Sequence, residues 1–367
     1  MRICYDYQTF VLQKFGGISR YFTKIGSELE SLGNQVRFIA PLHRNEYIKY
    51  LPANLVEGRY MNNYPKKTSK IFMMYNRYSS ISRISEFNPD IIHETYYANN
   101  KSSSLNRPIV LTVHDMIHEL YPNSFSYFDR TISNKQKSIN RADKIICVSH
   151  NTKKDLLNLY DINEEKISVI HHGFECFYEQ ELKIKNEFPF DKPYLLYVGN
   201  RGGYKNFSNF IEAFSKSKRL RNDFNIIAFG GEKFSKKELL GFSKYGFLKN
   251  QIRHVSGDDS LLSDYYQHAA AFIYPSIYEG FGIPPLEAMA RGCPVISSQA
   301  SSMPEIIGNA AQYFDPIDTD SIIFSIESVI YSSDRIHALR ASGYEQLKLY
   351  SWAKCSAETQ SIYKSLL

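Results

Sequence analysis

Short runs of β-branched and apolar residues alternate along the chain with segments whose apolar positions recur every three or four residues. A parallel sheet with crossover helices imposes that alternation. Runs at 2–5, 36–40, 90–93, 109–113, 144–148 and 168–171 read as the strands of a first series. Between the first two, Ile18, Tyr21, Phe22, Ile25, Leu29 and Leu32 mark one face of a helix, and Gly33 stands where a helix C-terminus favours glycine. After the fifth run, Thr152 and Asp155 read as a capping box in front of Leu156 and Leu157. From 176 to 193 the pattern lapses, and a second series begins at 194–198 and continues at 225–229, 252–255, 271–274 and 294–297. The prediction is two Rossmann-like, doubly wound α/β domains, residues 1–175 and 194–350, joined by a linker at 176–193. Ligands of such sheets sit at the carboxyl ends of the strands, so the cleft where the two domains face each other is the expected active site.

The length of 367 residues agrees with two domains, and 43% hydrophobic with 22% charged residues is a globular composition. No run approaches the roughly 20 apolar residues that cross a bilayer, and the N-terminus has no signal-peptide layout, so a cytoplasmic location is expected. The five cysteines (Cys4, Cys147, Cys176, Cys293 and Cys355) are scattered without a C-x-x-C pair and read as reduced packing residues. A net charge of +6 is too small to imply nucleic acid and is compatible with an anionic ligand or an acidic membrane surface.

Four segments carry candidate chemistry. In the segment 274–290 a strand ends at Tyr274, Glu279 lies in a loop with Gly280, Phe281 and Gly282, and Pro284 and Pro285 suit the first turn of a helix that holds Glu287. Carboxylates and exposed backbone N–H groups there suit a hydroxyl-rich or anionic ligand, although an arbitrary glutamate near a helix start is more often a cap. The loop 199–206 places Arg201 and Lys205 after a strand, where two cations suit a pyrophosphate whose charge grows as a sugar departs. Isolated loop cations are usually only solvated. The pair Gly16-Gly17 opens the helix after the first strand and allows close backbone approach, but it is not a dinucleotide fingerprint. Thr112-Val113-His114-Asp115 ends a strand, where a histidine is often just a packing residue.

Taken together these strings resemble glycosyltransferase family 4, whose fold is GT-B. The spacing of Glu279 and Glu287 resembles that family's E-x7-E motif, with Tyr274-Pro275-Ser276 before it and Gly292-Cys293-Pro294 and Met303-Pro304-Glu305 after it. Arg201 and Lys205 resemble its R-x-x-x-K pair, and the resemblance runs to Ser351-Trp352-Ala353, before a last helix, 351–367, that in the family returns to the first domain. It departs at His171-His172-Gly173, where many relatives have Asn-Gly. The resemblance implies Glu279 as a donor-sugar ligand, Glu287 as a ribose ligand, Gly17 against the donor phosphates, His114 near the reacting centre, and Asp115 on the acceptor side. It also implies a retaining hexosyltransferase without metal or cofactor, acting on a nucleotide-sugar and a saccharide acceptor that is expected to be lipid-linked. Bacterial surface-polysaccharide mannosyltransferases are the relatives it points to, with GDP-mannose as the first donor.

The alternatives are a UDP- or dTDP-sugar donor, a nucleotide-sugar epimerase, and a non-catalytic sugar-nucleotide sensor. Asp318-Thr319-Asp320 matches the D-x-D of metal-dependent enzymes but stands at the start of a helical run, 321–330, where acids serve as caps. The segment 59–83 has no acidic residue, and Arg59, Lys66, Lys67, Lys70, Arg77 and Arg83 alternate there with aromatic and aliphatic residues. A helix over about 69–82 is expected, either facing anionic lipid or packing its apolar side inward.

Overall fold

The structure, a computed structural model, describes residues 1–62, 64–65, 68–174 and 192–367. The chain divides into two compact units, Met1–Gly173 with Tyr350–Leu367, and Phe174–Leu349. Most of the expected linker, together with Cys176, lies outside the described residues.

In the first unit the strands are β1 (Arg2–Tyr5), β2 (Gln35–His43), β3 (Val56–Tyr60), β4 (Ile91–Glu94), β5 (Ile109–Val113), β6 (Lys144–Cys147) and β7 (Ile167–Val169). They form one parallel sheet in the order β3-β2-β1-β4-β5-β6-β7. The second unit holds β8 (Tyr194–Val198), β9 (Asn225–Phe229), β10 (Ile252–Val255), β11 (Ala271–Tyr274), β12 (Val295–Ser298) and β13 (Ala311–Phe314), parallel in the order β10-β9-β8-β11-β12-β13. Each sheet reverses its winding once, between β1 and β4 in one and between β8 and β11 in the other. These switch points open the crevices in which ligands of doubly wound sheets bind.

The helix Gly17–Ser31 buries Tyr21, Phe22, Ile25 and Leu29 and ends before Gly33, whose φ of 82° needs no side chain. The last helix, Trp352–Lys364, belongs to the first unit, where Trp352, Cys355 and Tyr363 join the same core. Buried polar groups tie it down: Tyr363 Oη lies 2.6 Å from His93 Nδ1, and His93 Nε2 lies 2.9 Å from Thr112 Oγ1. Two expected features are corrected. The His150–Leu159 helix is capped by Ser149, whose hydroxyl accepts from Thr152 N at 3.0 Å, so Thr152 lies inside the helix. Two edge strands, β3 and β13, escaped the sequence pattern. β3 reads Val-Glu-Gly-Arg-Tyr and has no buried face, and Gly58 lies so close to Ala40 that a Cβ would stand 1.9 Å from its carbonyl oxygen.

Candidate active site

The loops after β8 and β11 meet at the switch point of the second sheet. Gly199 leaves β8 with φ 120° and donates to the Phe229 carbonyl at 2.9 Å, after which a 3-10 turn, Gly203–Lys205, leads to Asn206. Asn206 is buried in the left-handed region at φ 56°, and its side-chain amide donates to the carbonyls of Pro275 (3.0 Å) and Pro316 (2.7 Å). Ile277 N donates to the Tyr204 carbonyl at 2.8 Å. These bonds lash the β8 loop to the loops after β11 and β13 and bring Lys205 Nζ within 2.7 Å of Glu279 Oε1. The sequence-predicted cation and carboxylate, 74 residues apart, thus form an ion pair.

Glu279 is held from a third loop as well. Ser301 Oγ and Ser302 Oγ donate to its carbonyl at 2.6 and 2.8 Å, and its own N–H donates to Ser301 Oγ at 3.2 Å. Phe281 is buried, and Gly282 adopts φ 98° with Met303 Cε 2.7 Å from where a Cβ would stand, so glycine is required there. The helix Ile283–Ala290 follows, opened by prolines, and on it Glu287 accepts from Tyr266 Oη at 3.3 Å. Backbone bonds thus preset the carboxylates and the glycine loop, leaving little to order when a ligand arrives.

Arg201 is placed differently from the expectation of a paired clamp. Its Nε donates to Glu238 Oε1 at 2.7 Å, while its outer nitrogens donate to the carbonyls of Glu232 (2.6 Å) and Gly230 (3.4 Å). The structure therefore joins Lys205 to Glu279 and Arg201 to the Lys236–Lys244 helix. Asp318, the other acid with a competing reading, caps the Thr319–Ile330 helix by accepting from Asp320 N at 2.9 Å.

In the first unit His114 lies just past β5 in an aromatic box. It stacks on His172 (5.6 Å between centroids, 8° between planes) and meets Tyr21 edge-on at 5.3 Å. Burial, assisted by nearby His93 and Lys135, pushes its pKa down to about 3, so it is a neutral imidazole, and its Nε2 is buried without a hydrogen-bond partner among the described residues. Such a group can exchange one hydrogen bond with a ligand but carries no charge at neutral pH. Asp115 Oδ1 accepts from Ile117 N at 3.1 Å, and its carbonyl accepts from the buried Lys135 at 2.9 Å. Gly17 opens its helix with nothing within 4 Å of the position a Cβ would take, whereas at Gly16 a Cβ would collide with Gln13 at 2.3 Å. Gln13 Oε1 accepts from Ser19 N at 3.1 Å, capping that helix from outside.

Sequence reasoning missed the residues that hold others in place: Asn206, Ser301, Ser302, Tyr266, Gln13 and Glu238. Glu238 alone left a trace, the Ser235-x-x-Glu238 capping-box spacing before Leu239 and Leu240.

Comparison with known proteins bears on the family and the fold. Residues 15–176 match Glycosyltransferase Family 4, and residues 179–346 match Glycosyl transferases group 1. The chain is 28% identical over 332 residues, 87% of it and 89% of the relative, to the O-antigen chain mannosyltransferase RfbU of Salmonella typhimurium. It is 27% identical over 270 residues, 70% of each chain, to the O-antigen chain mannosyltransferase B of Escherichia coli. Among solved structures it resembles a sucrose-phosphate synthase from Thermosynechococcus elongatus (TM-score 0.78, 18% identity, 100% and 98% covered). It also resembles WaaG, a glycosyltransferase involved in lipopolysaccharide biosynthesis (TM-score 0.72, 19% identity, 99% of each chain covered). With both halves matched and two parallel sheets of seven and six strands, the chain belongs to glycosyltransferase family 4 and has the two-domain GT-B fold.

Proposed function

We propose that this glycosyltransferase moves a hexose, mannose from GDP-mannose in the first instance, onto a saccharide acceptor during synthesis of a bacterial surface polysaccharide. The names of the O-antigen mannosyltransferases it resembles support the sugar and the process. The observation that carries the reading is the Lys205–Glu279 pair at the switch point of the second sheet. A donor entering there exchanges that pair for two better matched ones. Lys205 turns to the diphosphate, and the Glu279 carboxylate accepts from sugar hydroxyls. Glu287 accepts from the ribose, Gly17 leaves room for the donor phosphates, and neutral His114 hydrogen-bonds the sugar near its reacting carbon.

In the reaction the bond between the anomeric carbon and the phosphate oxygen breaks, and the acceptor oxygen bonds to that carbon from the same face, retaining its configuration. The acceptor proton passes to the departing phosphate oxygen, whose new charge Lys205 stabilises. No metal is needed in this scheme because a side chain supplies the cation.

The acceptor is lipid-linked in this reading, and the helix Ser69–Phe87 supports it. The helix turns Asn76 inward, where its amide donates to the Leu42 carbonyl at 2.9 Å, and leaves Ile71, Met74, Tyr75 and Tyr78 between 48% and 64% exposed. Exposed Lys70 and half-buried Arg77 accompany that apolar stripe. A basic helix with outward aromatics suits an anionic lipid surface, so the enzyme works at the membrane's inner face. No helix among the described residues is long and apolar enough to cross a membrane. Lys66 and Lys67 lie outside the described residues, and Arg83 is 3.6 Å from Glu57.

Incubating the protein in excess EDTA with GDP-, UDP- and dTDP-sugars and following product mass tests the proposal. A hexose-mass product from GDP-mannose is expected. Activity that EDTA abolishes and manganese restores would instead revive a metal-dependent mechanism.

A further inference from the structure

Arg201, the other cation of the β8 loop, is fully engaged inside the protein. Besides its bonds to Glu238, Glu232 and Gly230, its guanidinium carbon lies 4.7 Å above the centre of the Phe234 ring, and only 7% of the side chain is exposed. Glu238 is equally committed: its Oε2 accepts from Ser235 N at 2.7 Å, and its N–H donates to Ser235 Oγ at 3.2 Å, completing a capping box. Burial pushes the Glu238 carboxyl up, but the hydrogen bonds from Arg201 and Ser235 outweigh it and hold the pKa below the usual range. Gly231, at φ 66°, packs against the β8 loop, where a Cβ would stand 3.2 Å from the Gly199 carbonyl oxygen. Arg201 and Glu238 also line a cavity of about 630 Å³ whose apolar wall includes Phe207, Ile211 and Phe242.

A guanidinium held this way ties three segments together: the β8 loop, the β9 loop and the Lys236–Lys244 helix. To reach a phosphate it would have to abandon an ion pair and two carbonyl bonds, leaving Glu238 uncompensated. Lys205, four residues on, has a flexible stem and a partner that is itself shaped to bind a sugar. We propose that Arg201 and Glu238 are a positioning pair: they fix one end of the 199–206 loop as Asn206 fixes the other, and so present Lys205 to the departing diphosphate without touching it themselves. The inference rests on the reading of Lys205 as the diphosphate ligand.

The sign of one mutational effect separates the two roles of Arg201. Were it a phosphate ligand, Glu238→Ala would release it and remove a nearby negative charge, and GDP would bind more tightly. The positioning pair requires the opposite. By calorimetry on the full chain, the ratio of GDP to GMP affinity should fall about tenfold in Arg201→Ala and in Glu238→Ala, the scale of one charge-assisted hydrogen bond, and no further in the double variant. Glu238→Gln, which can still accept from Arg201, should recover part of the ratio. Tighter or unchanged GDP binding by Glu238→Ala, or additive losses in the double variant, would overturn the inference. So would a lowered Tm with an unchanged ratio, since that marks a role in stability alone. Lys205→Ala is the control for the underlying reading: if it keeps the wild-type ratio, the error lies in the placement of the diphosphate and not in the pair.

Discussion

At 2.7 Å, Lys205 and Glu279 form an ion pair, which in the proposed reading a donor exchanges for its diphosphate and its sugar. Removing the carboxylate charge should therefore split two quantities that usually move together. Glu279→Gln frees Lys205 for a bare nucleoside diphosphate, so calorimetry should show GDP binding as tight as wild type or tighter. Transfer should nevertheless fall by about a hundredfold or more, because the sugar loses a charged acceptor made for the transition state. Parallel loss of both would mean that Glu279 mainly keeps the loop folded. A second expectation concerns His93, which is fully buried and whose pKa burial pushes down to about 3. The unfolded chain takes up a proton near pH 6.5 that the folded chain refuses. The stability due to neutral His93 is therefore complete above that pH and is lost as pH falls toward 3. Between pH 7.5 and 5.5 this site should cost about 1 kcal/mol, and His93→Asn should show a smaller loss in urea unfolding over the same interval. An equal loss in both proteins would refute the assignment.

Whole elements follow from pattern wherever one face is clearly apolar. The Gly17–Ser31 helix announces itself by Ile18 through Leu32, and the central strands by their β-branched runs. Two of the four edge strands do not: β3 and β13 need only one neighbour and tolerate Glu57, Arg59 and Gln312. The Ser69–Phe87 helix shows a different limit, because it is apolar on both sides and periodicity cannot choose between them. The structure chooses through Asn76, whose side chain bonds both the N–H and the carbonyl of Leu42 and turns Met74 and Tyr78 outward. That arrangement predicts binding to vesicles containing anionic lipid that fades as salt rises. Met74→Ser with Tyr78→Ser should weaken it, and so should Lys70→Glu, while transfer to a short soluble acceptor persists. Equal loss with soluble and lipid-linked acceptors would mean that the helix shapes the fold or the site instead.

On the scale of the molecule, the two doubly wound domains were legible because one alternation of strands and helices runs through the chain twice. Each sheet reverses at its first strand, and the β8 and β11 loops that carry Lys205 and Glu279 flank one of those reversals. What the sequence could not reveal was which cation faces which acid. Arg201 and Lys205 are equivalent as letters four residues apart, and only the folded loops assign one to Glu238 and the other to Glu279. The supporting hydrogen bonds from Asn206, Ser301 and Ser302 were equally hidden, since each links segments 22 to 110 residues apart. The most direct test of the account is the initial rate of sugar transfer by Lys205→Ala, beside wild type, with the donor that supports wild-type activity. The account predicts a fall of about a hundredfold or more with the thermal midpoint nearly unchanged, because developing diphosphate charge is left unpaired; a wild-type rate would contradict it.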